Sequence, residues 1–182
     1  MILRATVPLV AVHGASVTTK QIAQAAGIGE GTIFRVFATK EELLLACVEI
    51  AASPDGLLAN LATISPDDPL PDRLTEALDL MRAHLERMGA VVGALQASGL
   101  TGRLEPPRSS ETDDPRAESL RLIREELTGL LTPDAGRLRV APQTLAGILL
   151  GLAFTRPGTD DTAADRAVVD VLLHGALLPP AG

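Results

Sequence analysis

The residues able to do chemistry are few and scattered. Three histidines, His13, His84 and His174, stand far apart in the 182-residue chain. None has a second His or Cys three or four positions on, the spacing by which one helix face grips a metal. No metal and no cofactor is expected. The single cysteine, Cys47, has no partner for an intramolecular disulfide, and Leu43, Leu44 and Val48 around it mark a small buried apolar residue rather than a nucleophile. Gly27-Ile28-Gly29-Glu30-Gly31 has the look of a phosphate-cradling loop, but it follows a helical stretch rather than a strand and lacks the third glycine of a dinucleotide fingerprint. The acidic pairs Asp67-Asp68, Asp113-Asp114 and Asp160-Asp161 fall in loop-like stretches and read as solvated surface or helix starts. No catalytic constellation emerges, so the chain is not read as an enzyme.

Composition bounds the scaffold. With 46% hydrophobic residues the chain can fill a core, and global disorder is excluded. Aromatic residues are only 2%, namely Phe34, Phe37 and Phe154, so the core must be Leu, Val, Ile and Ala, as in packed helices. No run approaches the roughly 18 apolar residues of a membrane span, and no signal-peptide pattern opens the chain; a cytoplasmic setting is expected. The net charge of −7 argues against a phosphate-bearing partner for the chain taken whole. Its distribution is uneven. Residues 1–52 hold four basic and four acidic side chains, including both lysines, Lys20 and Lys40, while residues 53–182 hold 12 arginines against 19 acids. The acidic excess belongs entirely to the larger part.

The elements follow from caps and periodicity. Ile2, Leu3, Leu9 and Val10 supply an apolar face before Gly14, in a helix expected to start near Thr6 with Pro8 in its first turn. Thr18 with Gln21 forms a capping box that opens a helix through Ala26, stopped by Gly27. A short helix from about Gly29 to Val36 follows. Thr39 with Glu42 makes a second box and opens the helix carrying Leu43, Leu44, Cys47, Val48 and Ile50, which Ser53-Pro54 closes. Beyond a weak apolar patch at 57–64, Leu74, Leu78, Met81, Leu85 and Met88 repeat at spacings of three and four, which predicts a helix of about five turns. Gly89 should interrupt it, with a short helix over 90–97. A long surface loop is expected over 101–115, then an amphipathic helix with Leu120, Ile123, Leu127, Leu130 and Leu131. The last two helices, about 142–155 and 162–178, are apolar on more than one face, and a helix apolar all round needs burial on all sides. A two-fold homodimer sharing a four-helix seam satisfies both, and Gly147 and Gly151 permit close approach.

Capped helix, glycine turn and short second helix are the layout of a helix-turn-helix. Ile2-Leu3…Leu9…Gly14, Thr18-Thr19-Lys20-Gln21-Ile22-Ala23, Ala26-Gly27-Ile28, Gly31-Thr32-Ile33-Phe34 and Phe37-Ala38-Thr39-Lys40-Glu41-Glu42-Leu43 together resemble the DNA-binding domain of the TetR family of bacterial transcriptional regulators. The resemblance covers about 43 residues with the family's spacing throughout. It implies an all-α protein: a three-helix DNA-binding domain over 1–52 and a helical effector-binding and dimerisation domain over 53–182. It implies that Thr18 or Thr19 meets a phosphate at the start of the second helix, with Lys20 nearby. Gly29, Glu30, Gly31, Thr32, Phe34 and Arg35 would lie along the recognition helix. Gly31 would let the backbone approach DNA, Thr32 would reach a base edge or thymine methyl, Arg35 would pair with phosphate or guanine, and Lys40 would grip the backbone. Phe34 stands where the family usually has tyrosine, Val36 where histidine or tyrosine is frequent, and Gly29 replaces a Ser or Thr cap. Glu30 places an acid where many relatives carry a base; it could accept from a cytosine amino group or sit at the positive helix start.

For the larger part the same resemblance implies a pocket lined by Met81, His84, Leu85, Met88, Leu95, Leu120, Ile123 and Leu127, with Phe154, suited to an apolar small molecule. The expected function is a DNA-binding regulator, a repressor released from a palindromic operator by that effector. The alternative expectation is a ligand-binding or protein-interaction module on the same fold, with weak or lost DNA binding.

Overall fold

The computed structural model describes residues 1–99, 114–155 and 162–176. Every regular element among them is helical, and they fall into two compact units. One holds residues 1–53 with 86–99, the other residues 54–85 with 114–155 and 162–176.

The first unit contains α1 (Ile2–His13), α2 (Thr19–Ala26), α3 (Glu30–Val36), α4 (Lys40–Ala52) and the end of α6 (Leu70–Ala97). Helix α1 starts at Ile2, earlier than the proline suggested, and Pro8 lies inside it. Pro8 cannot donate to the carbonyl of Arg4, but both residues are exposed, so that carbonyl is left towards water while Thr6, Val7 and Val10 hold the turns on the buried side. The buried Thr6 hydroxyl is satisfied by the Ile2 carbonyl at 2.9 Å. Val10, Val17, Ile22, Ile33, Leu43, Leu44 and Cys47 form the unit's core together with Val91, Ala94 and Leu95 from α6.

The second unit contains α5 (Asp55–Leu61), the first part of α6, α7 (Pro115–Leu131), α8 (Pro142–Thr155) and α9 (Thr162–Ala176). Its core joins Leu57, Leu61, Leu74, Met81, Ile123, Leu127, Leu131, Leu145, Leu149, Val169 and Leu173. Helix α6 runs 28 residues without a break at Gly89. Gly89 costs the helix about 1 kcal/mol relative to alanine, and burial of Leu78 and Met81 before it and Val91, Ala94 and Leu95 after it outweighs that. Helix α7 begins at Pro115, with the Asp114 carboxylate accepting from the Arg116 N–H at 2.9 Å. Apart from its last two positions, the loop expected over 101–115 lies outside the described residues.

Buried on one side only, α8 sinks Leu145, Ala146, Leu149, Leu150 and Ala153 into this core but leaves Ile148 44% and Phe154 46% exposed. On α9, Val169 and Leu173 are buried and Val171 is 75% exposed. No helix among the described residues is long and apolar enough to cross a membrane.

Candidate nucleic-acid interface

Local chemistry shapes the start of α2. Thr18 is the N-cap in extended conformation: its hydroxyl accepts from the Gln21 N–H at 3.2 Å, while the Gln21 side-chain oxygen accepts from the Thr18 N–H at 2.8 Å. That is the reciprocal capping box. At the other end, Gly27 adopts the left-handed conformation (φ 65°), and the Gly27 and Ile28 N–H groups donate to Gln24 and Ala23 carbonyls at 3.2 and 3.0 Å. This pattern closes α2 and turns the chain sharply. Three residues later α3 begins, with Gly29 as an N-cap that offers no side chain.

Helix α3 is anchored by Ile33, almost wholly buried, and ended by extended Phe37, whose N–H reaches the Ile33 carbonyl at 2.8 Å. With Ile33 inward, the helical repeat puts Gly31 and Arg35 outermost, Glu30 and Phe34 on one flank, Thr32 and Val36 on the other. All six are exposed, Phe34 by 50% and Val36 by 60%. Two large apolar side chains are therefore held in water beside Thr32 and Arg35. Lys20 and Arg35 form no ion pair among the described residues. Lys40 opens α4 behind Thr39, whose hydroxyl caps the Glu42 N–H at 3.1 Å. The return bond expected of the second box goes instead from the Ala38 N–H to Glu42, at 2.8 Å.

One contact had no signal in the sequence. The Thr19 hydroxyl donates to the Glu30 carboxylate at 2.5 Å, joining the first residue of α2 to the first residue of α3 across 11 positions. Periodicity and capping rules describe neighbours three or four apart, so nothing local could reveal it.

The residues assigned to an effector pocket are divided between the cores of the two units. Met81, Leu85, Leu120, Ile123 and Leu127 belong to the core of the second unit or its margin, Met88 and Leu95 to that of the first. His84 is buried, at 7% exposure, and Phe154 faces solvent. A cleft between Leu78, Arg82, Leu152, Ala153, Asp165 and Val168 in the second unit has about 10 Å³ of free volume, room for about one water. Burial pushes the Asp165 carboxyl up, and the nearby Asp79 carboxyl adds to this, against the opposing pull of Arg82 at 3.2 Å.

Burial also pushes the Cys47 thiol up to about 12, the state of an inert packing residue. Among the described residues no three His, Cys, Asp or Glu side chains gather where a metal ion could be held.

Residues 2–47 match the family described as bacterial regulatory proteins, tetR family. No curated protein matches the chain. Solved structures do. A TetR transcriptional regulator from Streptomyces coelicolor is 28% identical, with a TM-score of 0.58 over 99% of this chain and 98% of that one. A transcriptional regulator from a Rhodococcus species shares 21% identity and a TM-score of 0.56, covering 98% and 97%. A TetR family transcriptional regulator from Thermus thermophilus shares 19% and 0.54, covering 95% and 97%. Residues 2–47 thus carry the helix-turn-helix of the bacterial tetR regulatory family, and the all-helical two-part fold is similar to that of a TetR transcriptional regulator.

Proposed function

We propose that the protein is a homodimeric repressor that binds a palindromic operator through α3 and leaves it when a small apolar effector binds the second unit. The observation that carries this reading is the outer face of α3. A buried Ile33 holds the helix, and a glycine, a threonine and an arginine point away from the protein, with Lys20 and Lys40 at the starts of the flanking helices. Such a face suits the major groove, with Gly31 permitting close approach, Arg35 and Thr32 meeting base edges, and Lys20 and Lys40 tracking phosphates.

The exposed apolar side chains on α8 and α9, Ile148, Phe154 and Val171, support a two-fold seam through these helices, in which each patch meets its own copy. The interior of the second unit is lined by leucines with Met81, a lining that favours an apolar effector. Binding there would favour a dimer whose recognition helices no longer match successive major grooves about 34 Å apart, so operator affinity would fall.

Selection of duplexes from a random pool by the full chain, at low and at near-physiological salt, tests the reading. Recovery of a palindrome whose binding is lost in Arg35→Ala and Lys40→Ala is expected. Each lost phosphate contact should also flatten the log–log salt dependence by about one unit per half-site. No enrichment at either salt would leave the alternative, a module on this fold that binds ligand or protein alone.

A further inference from the structure

Two hydroxyl protons at the start of α2 are already committed inside the protein. The Thr18 hydroxyl lies 2.9 Å from the Gln21 side-chain oxygen, and the Thr19 hydroxyl donates to Glu30 at 2.5 Å. A threonine hydroxyl has one proton, and a phosphate oxygen only accepts. A phosphate can therefore take the Thr19 proton only by displacing Glu30. Glu30 is exposed on the flank of α3 that also carries Phe34, so its negative charge lies on the face assigned to DNA. Repulsion from the polyanion and competition for Thr19 weaken binding to every duplex, whatever its sequence. What offsets this penalty selectively is a donor in the major groove. Cytosine presents its N4 amino group there; adenine presents N6 beside the N7 acceptor, which repels a carboxylate.

We propose that Glu30 is a specificity-determining residue. Its carboxylate accepts from the N4 amino group of one cytosine in each half-site, and Thr19 is the positioning residue that holds the carboxylate at the interface. Glu30 thus lowers affinity for all sequences and restores it at one. This assignment rests on the reading of α3 as the DNA-binding helix.

The test is selection from a random duplex pool with the full chain, the Glu30→Ala variant and the Thr19→Val variant, followed by titration of each with the selected operator and with a scrambled duplex. Both side chains lie at the surface, and circular dichroism melts confirm folding of the variants. The parent selects cytosine at one position per half-site. In Glu30→Ala that preference falls by about tenfold while the other positions persist, and affinity for the scrambled duplex rises by about threefold. Thr19→Val keeps the charge and loses the anchor, so the cytosine preference falls without a rise in scrambled-duplex affinity. An enriched sequence that Glu30→Ala leaves unchanged overturns this assignment alone. A parent pool with no enriched sequence overturns the DNA-binding reading and this assignment with it.

Discussion

Gly31 weakens α3 without any compensating contact inside the protein. A Cβ built there meets nothing within 4 Å, and the residue is not in the left-handed conformation that demands glycine. Gly31→Ala should therefore stabilise the chain by about 0.5 kcal/mol in denaturant titration. It should at the same time weaken operator binding, because the added methyl occupies the outermost row of α3. Gly89→Ala is the control: it too meets nothing within 4 Å, sits exposed in mid-helix, and should raise stability while leaving duplex affinity alone. A Gly31→Ala protein that binds as well as its parent would show that α3 does not approach DNA closely. Cys47 yields a pH prediction. Its thiol stays protonated in the folded state to about 12, against an ordinary 9.0, because burial penalises the thiolate. Above about pH 9 the unfolded chain releases that proton and the folded chain retains it, so stability falls as pH rises from there towards 12. Cys47→Ala should remove this part of the alkaline loss, and the parent should resist alkylation at about pH 8 until denatured. Cys47 was legible as a buried residue from its apolar neighbours alone. Glu30 was not legible as a partner of Thr19, since only the turn at Gly27 brings the two helix starts together.

Among the elements of the second unit, α6 and α7 are tied by a buried charge. Arg73, 2% exposed, donates to the Leu130 carbonyl at 2.6 Å and pairs with Asp134, which also receives Arg137 at 2.7 Å. Asp134→Ala leaves the Arg73 guanidinium buried without its counter-charge and should cost about 3 kcal/mol. Arg121→Ala removes an equally well-formed pair of contacts, to Glu118 and Glu125, but all three side chains are exposed, and the change should stay within about 0.5 kcal/mol. Equal costs in thermal melts would contradict this division. Burial also separates what the sequence could show of the elements from what it could not. The caps at Thr18 and Thr39 are local, so their helices were readable to within a residue. The continuity of α6 through Gly89 and of α1 through Pro8 was not, because packing on either side of the breaker decides the outcome and local propensity does not. The Arg73 pairing, with a partner 61 positions away, has no local trace at all.

At the scale of the whole molecule, the exposed Ile148 and Val171 make the dimer testable. Ile148→Glu places a charge where the proposed seam would bury it, and sedimentation should shift from dimer to monomer at micromolar concentration with helix content retained. A parent that sediments only as monomer would refute the seam. The discontinuous make-up of the first unit has a different consequence, one for synthesis. Its core takes Val91, Ala94 and Leu95 from a segment encoded after all of α5 and most of α6. A ribosome that has delivered the four N-terminal helices has not yet delivered the side chains that complete their interior. The nascent α3 must wait, at about 5–20 residues per second, until the end of α6 has left the exit tunnel. Truncation after residue 52 would make that unfinished intermediate permanent.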